Sequence, residues 1–204
     1  ISLLGVLFLL YIVTNSNAQP SEGGTPVSFK LKKGIEIGID EISLYPPDIV
    51  ALKSEDLQLQ SSNNGTPPRV GVNLDADISL STAGEWTHYP DGSKLWRLKI
   101  NSPGATALSV YFDDFYLAPG AKMFFYNENR KHVIGGFTNK NNLENGTFST
   151  EMIQGESIYI EYYEPKLKRG ESNFHIANIG YYYEELAGLS QYSDNPPKAV
   201  GASG

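Results

Sequence analysis

The stretch from Gly84 to Pro165 decides the fold: Gly84-Glu85-Trp86, Asp91-Gly92, Leu95-Trp96-Arg97-Leu98, Ser102-Pro103-Gly104-Ala105, Ala118-Pro119-Gly120-Ala121 and Glu161-Tyr162-Tyr163-Glu164-Pro165. Aromatic runs alternate with tight-turn dipeptides. Trp96, Leu98 and Ile100 alternate with Arg97 and Lys99, the period-2 signature of a half-buried strand. Leu108, Val110 and Phe112 repeat it, as do Met123 with Phe125, and Ile158 with Ile160 and Tyr162. Asp91-Gly92, Pro103-Gly104, Pro119-Gly120, Gly135-Gly136, Asn145-Gly146 and Gly155 punctuate these runs, mostly 10 to 16 residues apart. Upstream, Val72 and Leu74 lead into Ile78 and Leu80, and no amphipathic helix of three turns follows Arg69. The pattern predicts an all-β chain, an antiparallel β-sandwich of jelly-roll type over residues 69–185.

Outside this core the chain changes character. Leu3 to Val13 is an apolar run of eleven residues followed by Thr14-Asn15-Ser16-Asn17-Ala18. It is too short to span a bilayer, and the small residues Ser16 and Ala18 fit signal-peptidase cleavage after Ala18. Residues 1–18 therefore read as a signal peptide, with the mature chain starting at Gln19 and the product secreted. With no initiator Met and no basic n-region, the start of that signal is expected upstream of Ile1. Residues 19–68 read as an irregular extension. Pro20 to Thr25 is a polar leader, and Val27 to Asp40 looks extended, with Ile35, Ile37 and Ile39 on one face. Asp48 to Leu59 fits a helical turn through Ile49, Leu52 and Asp56, and a strand through Leu57 and Leu59. Ser61 to Pro68 is a loop by its Ser, Asn, Gly and Pro content. At the other end, residues 186–204 carry few large apolar residues and close with Asn195-Pro196-Pro197-Lys198, the composition of a flexible, protease-accessible linker.

The bulk numbers exclude several classes of function. The chain has no Cys, which removes thiol catalysis and thiolate metal sites. A net charge of −7 and a pI near 5.0 argue against a nucleic-acid partner, because phosphate neutralisation needs a basic face.

The residues that could carry chemistry are few. His88, His132 and His175 are the only histidines. None lies in a Gly-x-Ser-x-Gly or Gly-Asp-Ser-Gly-Gly context, and none has i, i+4 ligand spacing, so no catalytic residue is assigned. Asp113-Asp114 and Asp75-x-Asp77 are compact acidic pairs that could contribute to a structural calcium site or simply end strands; neither matches a spaced calcium loop, and no cofactor is assigned. Trp86, Trp96 and Tyr181-Tyr182-Tyr183 could form a stacking platform for a polysaccharide or cell-surface ligand, although Trp96 is in phase with the core residues of its strand. Lys166-Leu167-Lys168-Arg169-Gly170 reads as a solvated basic turn or a protease-sensitive loop. Asn64-Gly65-Thr66 and Asn145-Gly146-Thr147 match the glycosylation sequon but also the Asn-Gly turn, which is the reading preferred here.

The order of these pieces resembles the amino-terminal region of secreted bacterial lysyl-endopeptidase-like serine proteases, over roughly Pro46 to Gly204. Glu55-Asp56 and Arg69-Val70-Gly71 are similar to the family's acidic pair and Arg-x-Gly turn. Gly84-Glu85-Trp86, Asp91-Gly92, Trp96-Arg97-Leu98, Gly104-Ala105, Pro119-Gly120-Ala121 and Tyr126-Asn127 follow in the family's order. Gly136-Phe137-Thr138, Gly155-Glu156 and Glu161-Tyr162-Tyr163-Glu164-Pro165 continue it, whereas Ile179-Gly180-Tyr181-Tyr182 stands where a His-x-Tyr-Arg is common. Gly201-Ala202-Ser203-Gly204 resembles the opening of the protease domain. The resemblance implies a non-catalytic pro-region whose partner is its own C-terminal protease domain, a lysine-specific enzyme with its catalytic His, Asp and Ser beyond Gly204. It also implies processing at Ala18 and near Lys198 and Gly201.

Overall fold

In the computed structural model the chain is described over residues 20–30, 38–62, 65 and 67–194. The elements are β1 (Asp40–Ser43), α1 (Ile49–Ser61), β2 (Gly71–Ser79), β3 (Glu85–His88), β4 (Lys94–Asn101), β5 (Ala107–Tyr116), β6 (Lys122–Asn127), β7 (Val133–Phe137), β8 (Phe148–Ser149), β9 (Ile153–Gln154), β10 (Ser157–Glu164) and β11 (Asn173–Tyr182). One sheet runs β1-β4-β10-β6-β7, with β3 also on β4; the other runs β2-β11-β5, with β8 and β9 in turn on the far side of β5. With β8 and β9 counted as one interrupted strand, this is jelly-roll order, and the expected sandwich is the one found. Every pair is antiparallel except β1 on β4, which is parallel and sets Ile42 beside Ile100.

Strand periodicity sends alternate side chains into one core. Trp96, Leu98 and Ile100 of β4 meet Ile158, Ile160 and Tyr162 of β10, all fully buried. Across the interior, the Phe112 ring of β5 lies within 5.2–6.1 Å of the Phe115, Phe125, Phe148 and Phe174 rings. Each such side chain contributes about 1.5–3 kcal/mol on burial. Gly84 shows how tightly the edge closes. Its φ is +84°, and a Cβ there would overlap the Trp96 indole, whose Nε1 donates to Ala83 O at 2.8 Å.

Before β2, one ambiguity is resolved and one segment differs from its sequence reading. The ambiguous stretch after Pro47 is a helix. Asp48 caps it by accepting the Ala51 N–H at 3.0 Å, and Ile49 and Leu52 pack on the core, while Leu57 and Leu59 stay exposed. Val27–Lys30, expected to be extended, is a short 3-10 helix, and Asp40, expected to be extended, opens β1. Ile35 and Ile37 lie outside the described residues. The leader Pro20–Lys30 crosses the outer face of the first sheet, from the β7 edge to the middle of β10. No helix among the described residues is long and apolar enough to cross a membrane.

Candidate functional site

The residues singled out from sequence go to separate places. His88 ends β3 in solvent. His175, in the middle strand of the second sheet, faces outward between neighbours: its Nδ1 lies 2.6 Å from Asp113 Oδ1 of β5 and its Nε2 3.0 Å from Asp77 Oδ1 of β2. The two acidic pairs thus come together on one face, but around an imidazole. Hydrogen bonds from Asp113 and Asp77 hold the His175 pKa above its ordinary value, and the same contact lowers that of Asp113. Asn178 and Asn173 donate to Asp75 and Asp114. Among the described residues no group of three or more His, Asp or Glu is placed to hold a metal ion.

The aromatic platform is dispersed. Trp96 is core, and Trp86 is half-buried, edge-on to Tyr162 with Lys94 Nζ over its ring. Tyr181 and Tyr183 turn inward, the first donating to Pro103 O and the second to Asp56 Oδ2, so that Tyr182 alone of the three lies on the outer face, beside Ser109 and Tyr111. The basic turn is tied down: Lys168 pairs with Glu171 at 2.9 Å, and Arg169 donates to Gly92 O. Asn145 Oδ1 accepts from the Thr147 backbone and hydroxyl, as the turn reading requires. Glu55, Asp56 and Arg69 form a clamp with Tyr183. Arg69 Nε donates to Asp56 at 2.9 Å and to the Tyr183 hydroxyl at 3.0 Å, which pins α1 to the end of β11.

The richest constellation was missed in the sequence. Residues 186–194, read as flexible linker, fold back onto the sandwich instead, with Ser190–Tyr192 as a 3-10 turn. The Tyr192 ring stacks on His132 at 3.9 Å between centroids and 10° between planes. Asn127, the last residue of β6, is the hub. Its Oδ1 accepts the His132 N–H at 3.0 Å, and its Nδ2 donates to Gln154 Oε1 at 3.0 Å and to Tyr192 O at 3.5 Å. Asn129 Nδ2 donates to Tyr192 O at 2.8 Å, and Lys131 pairs with Asp194 at 3.2 Å. The Gln154 N–H donates to His132 Nδ1 at 3.2 Å, which places the ring proton on Nε2, and burial lowers the His132 pKa. Between this segment and the Thr106 and Gln154–Glu156 loops lies an open cleft of about 690 Å³. The spacing Leu186, Leu189, Tyr192 was the one available signal of a docked turn. Composition hid it, because the contacts are made by polar side chains over 60 residues away in sequence.

Ala18, Lys198 and Gly201 lie outside the described residues, and Asp194 is the last position described before the latter two. The cleft is walled by the Gln154, Glu156 and Ser190 side chains and rimmed by Ala105, Leu186 and Leu189, a mix of polar and apolar groups that suits it to hold polypeptide. Compared with known proteins, the chain matches no family model and no curated sequence.

Proposed function

We propose that the chain is the non-catalytic pro-region of a secreted serine endopeptidase precursor, a sandwich that assists folding of the protease domain and holds it latent until cleavage near Lys198 or Gly201. The observation that carries this reading is the docked tail. Tyr192 and Ser193, a few residues before Lys198 in the sequence, are fixed at Asn127, Asn129, Lys131 and His132. Asn127, which holds the tail, Gly155, at the cleft, and Asp56 and Arg69, in the helix clamp, are also residues on which the protease-family resemblance rests. Anchoring the chain up to Asp194 lowers the entropy cost of setting two domains against each other.

The test is to refold a lysine-specific trypsin-like endopeptidase of the secreted bacterial class with this chain added in trans. Saturable inhibition, or a raised yield of active enzyme, is the expected result. No effect on either, at micromolar chain, would overturn the reading. A second reading, an exported sugar- or surface-binding module, is favoured by the Tyr111 and Tyr182 hydroxyls, 3.5 Å apart on the outer face of the second sheet. Retention of the chain on insoluble polysaccharide, lost on Tyr182→Ala, would support it. In either case we propose that the chain works without a bound metal. Support comes from Asp75, Asp113 and Asp114, whose carboxylates are already engaged by Asn178, His175 and Asn173. A chelator is expected to leave the melting temperature unchanged.

A further inference from the structure

The way residues 20–30 lie on the first sheet is that of a bound peptide. Polar anchors grip the segment at its start. Asn141 Nδ2 donates to Pro20 O at 3.0 Å, the Ser21 hydroxyl donates to Gly135 O, and the Glu22 N–H donates to Gly136 O at 3.1 Å. The Glu22 carboxylate is then held between Lys122 at 3.5 Å and Lys140 at 3.0 Å. Gly23 passes so close to Gly136 that a Cβ on Gly136 would overlap the Gly23 backbone. Farther on, the Glu161 carboxylate of β10 accepts the Ser28 N–H at 3.2 Å, and Phe29 sits edge-on to Tyr126 with the Arg130 guanidinium 4.9 Å above its ring. These are the parts of a recognition groove: an acid pocket, a narrow backbone gate, a buried acceptor for main-chain N–H groups and an aromatic clamp.

The fit is also incomplete, as it would not be for an element of the core. Beside Gly23 and Gly24 a cavity of about 260 Å³ stays open, walled by Phe124, Val133, Ile134 and Phe137. Across the β4–β10 register from Glu161 stands Arg97, only 6% exposed, whose Nε and Nη2 find no hydrogen-bond partner among the described residues. Buried guanidinium nitrogens left unpaired are costly, and a ligand offering an acceptor would relieve that cost.

We propose that the outer face of the first sheet is a peptide-binding groove which residues 20–30 occupy in cis. In trans it accepts a peptide with an acidic side chain, small residues directly after it and, seven positions beyond, an aromatic ring on a short 3-10 turn. Tethering gives the cis segment an effective concentration of about millimolar, so a free peptide enters only when the tethered one is weakened. The groove shares the β6–β7 hairpin with the docked tail but uses other residues of it, Tyr126 and Arg130, and does not depend on the protease reading.

The probe is a fluorescein-labelled synthetic peptide of residues 19–30, titrated into the full chain. Wild-type chain is expected to bind it at least about tenfold more weakly than a chain carrying Glu22→Lys and Phe29→Ala, which loosen the tethered segment and leave the groove intact. Adding Glu161→Gln to that loosened chain is expected to weaken binding about tenfold. A loosened chain that is folded by near-ultraviolet circular dichroism yet binds no peptide would overturn the proposal, and so would binding indifferent to Glu161→Gln. Hydrogen exchange on the unaltered chain decides independently of any variant. The Ser28 amide is expected to exchange through an opening that leaves Ile160 protected; protection equal to that of Ile160 would make the segment an inseparable part of the fold and overturn the proposal.

Discussion

The two sheets turn different outer faces away from the core they share. On the first, a segment of the chain lies over the strands, and the charged residues beneath it, Glu161 and Arg97, are buried. On the second, no such cover lies over His175 among the described residues. Asp77 and Asp113 hold it in solvent, and Asp77 sits at φ 52° where β2 loses register with β11. Both faces carry an acid–base neighbour pair across adjacent strands, yet only the covered one is placed where a polar group must find a partner or cost free energy. Burial, more than residue type, decides what a charge on a strand contributes.

Substitutions can break this contrast. The largest effect is expected from Gly136→Ala. It puts a side chain at φ +69° and against the Gly23 backbone, and should cost about 3 kcal/mol by urea melting and expose residues 20–30 to proteolysis. Next comes the paired comparison of Glu161→Ala with Asp113→Ala. The first removes a buried acceptor of the Ser28 N–H and should cost about 2 kcal/mol, whereas the second removes a solvent-screened partner of His175 and should cost well under 1 kcal/mol. Equal losses would erase the distinction between the faces. Tyr192→Ala should cost about 1 kcal/mol, strip the stacking partner from His132 and let its pKa rise toward the ordinary value, measurable by NMR titration.

The smallest effect is a dependence on pH with opposite signs at two histidines. His132 is depressed by burial, so the folded state binds fewer protons than the unfolded one; its contribution is present above about pH 6.5 and is lost as the pH falls toward the folded value. His175 is raised by Asp113 and Asp77, so its contribution is complete below about pH 6.5 and is lost as the pH rises through the folded value. Solvent screening keeps the His175 contribution well under 1 kcal/mol. Urea melts across this range are expected to lose their alkaline decline with His175→Asn and their acidic decline with His132→Gln. Declines of the same sign would contradict the structure's assignment of which histidine is neutral.

The strands were legible because their information is local. Alternation in Trp96 to Ile100 and in Leu108 to Phe112 fixes which side chains share a face, and dipeptides such as Pro103-Gly104 and Pro119-Gly120 fix where the chain reverses. The same locality explains the ambiguity after Pro47. Leu57 and Leu59 are exposed, so a strand-like spacing there carried no packing information, and Asp48 at the N-cap together with the half-buried Ile49 and Leu52 settled the helix. The acidic pairs were visible in the sequence, but their partner was not: His175 lies 62 residues from Asp113 and 98 from Asp77, and a bulge sets the register that joins them.

Sequence alone determined the sandwich, its strand phases and its turns, because hydrophobic period and backbone preference act over a few residues. Tertiary structure alone decided what covers the sandwich. Pro20–Lys30 has no apolar period, and the tail before Asp194 is largely polar. Both are held by hydrogen bonds and ring contacts to groups 60 or more residues away, the leader at the Gly135 carbonyl and the Asn141 and Glu161 side chains, the tail at Asn127, Asn129 and His132. Such contacts leave no periodic trace in the sequence, since each depends on where a finished sheet presents one donor, one acceptor or one ring.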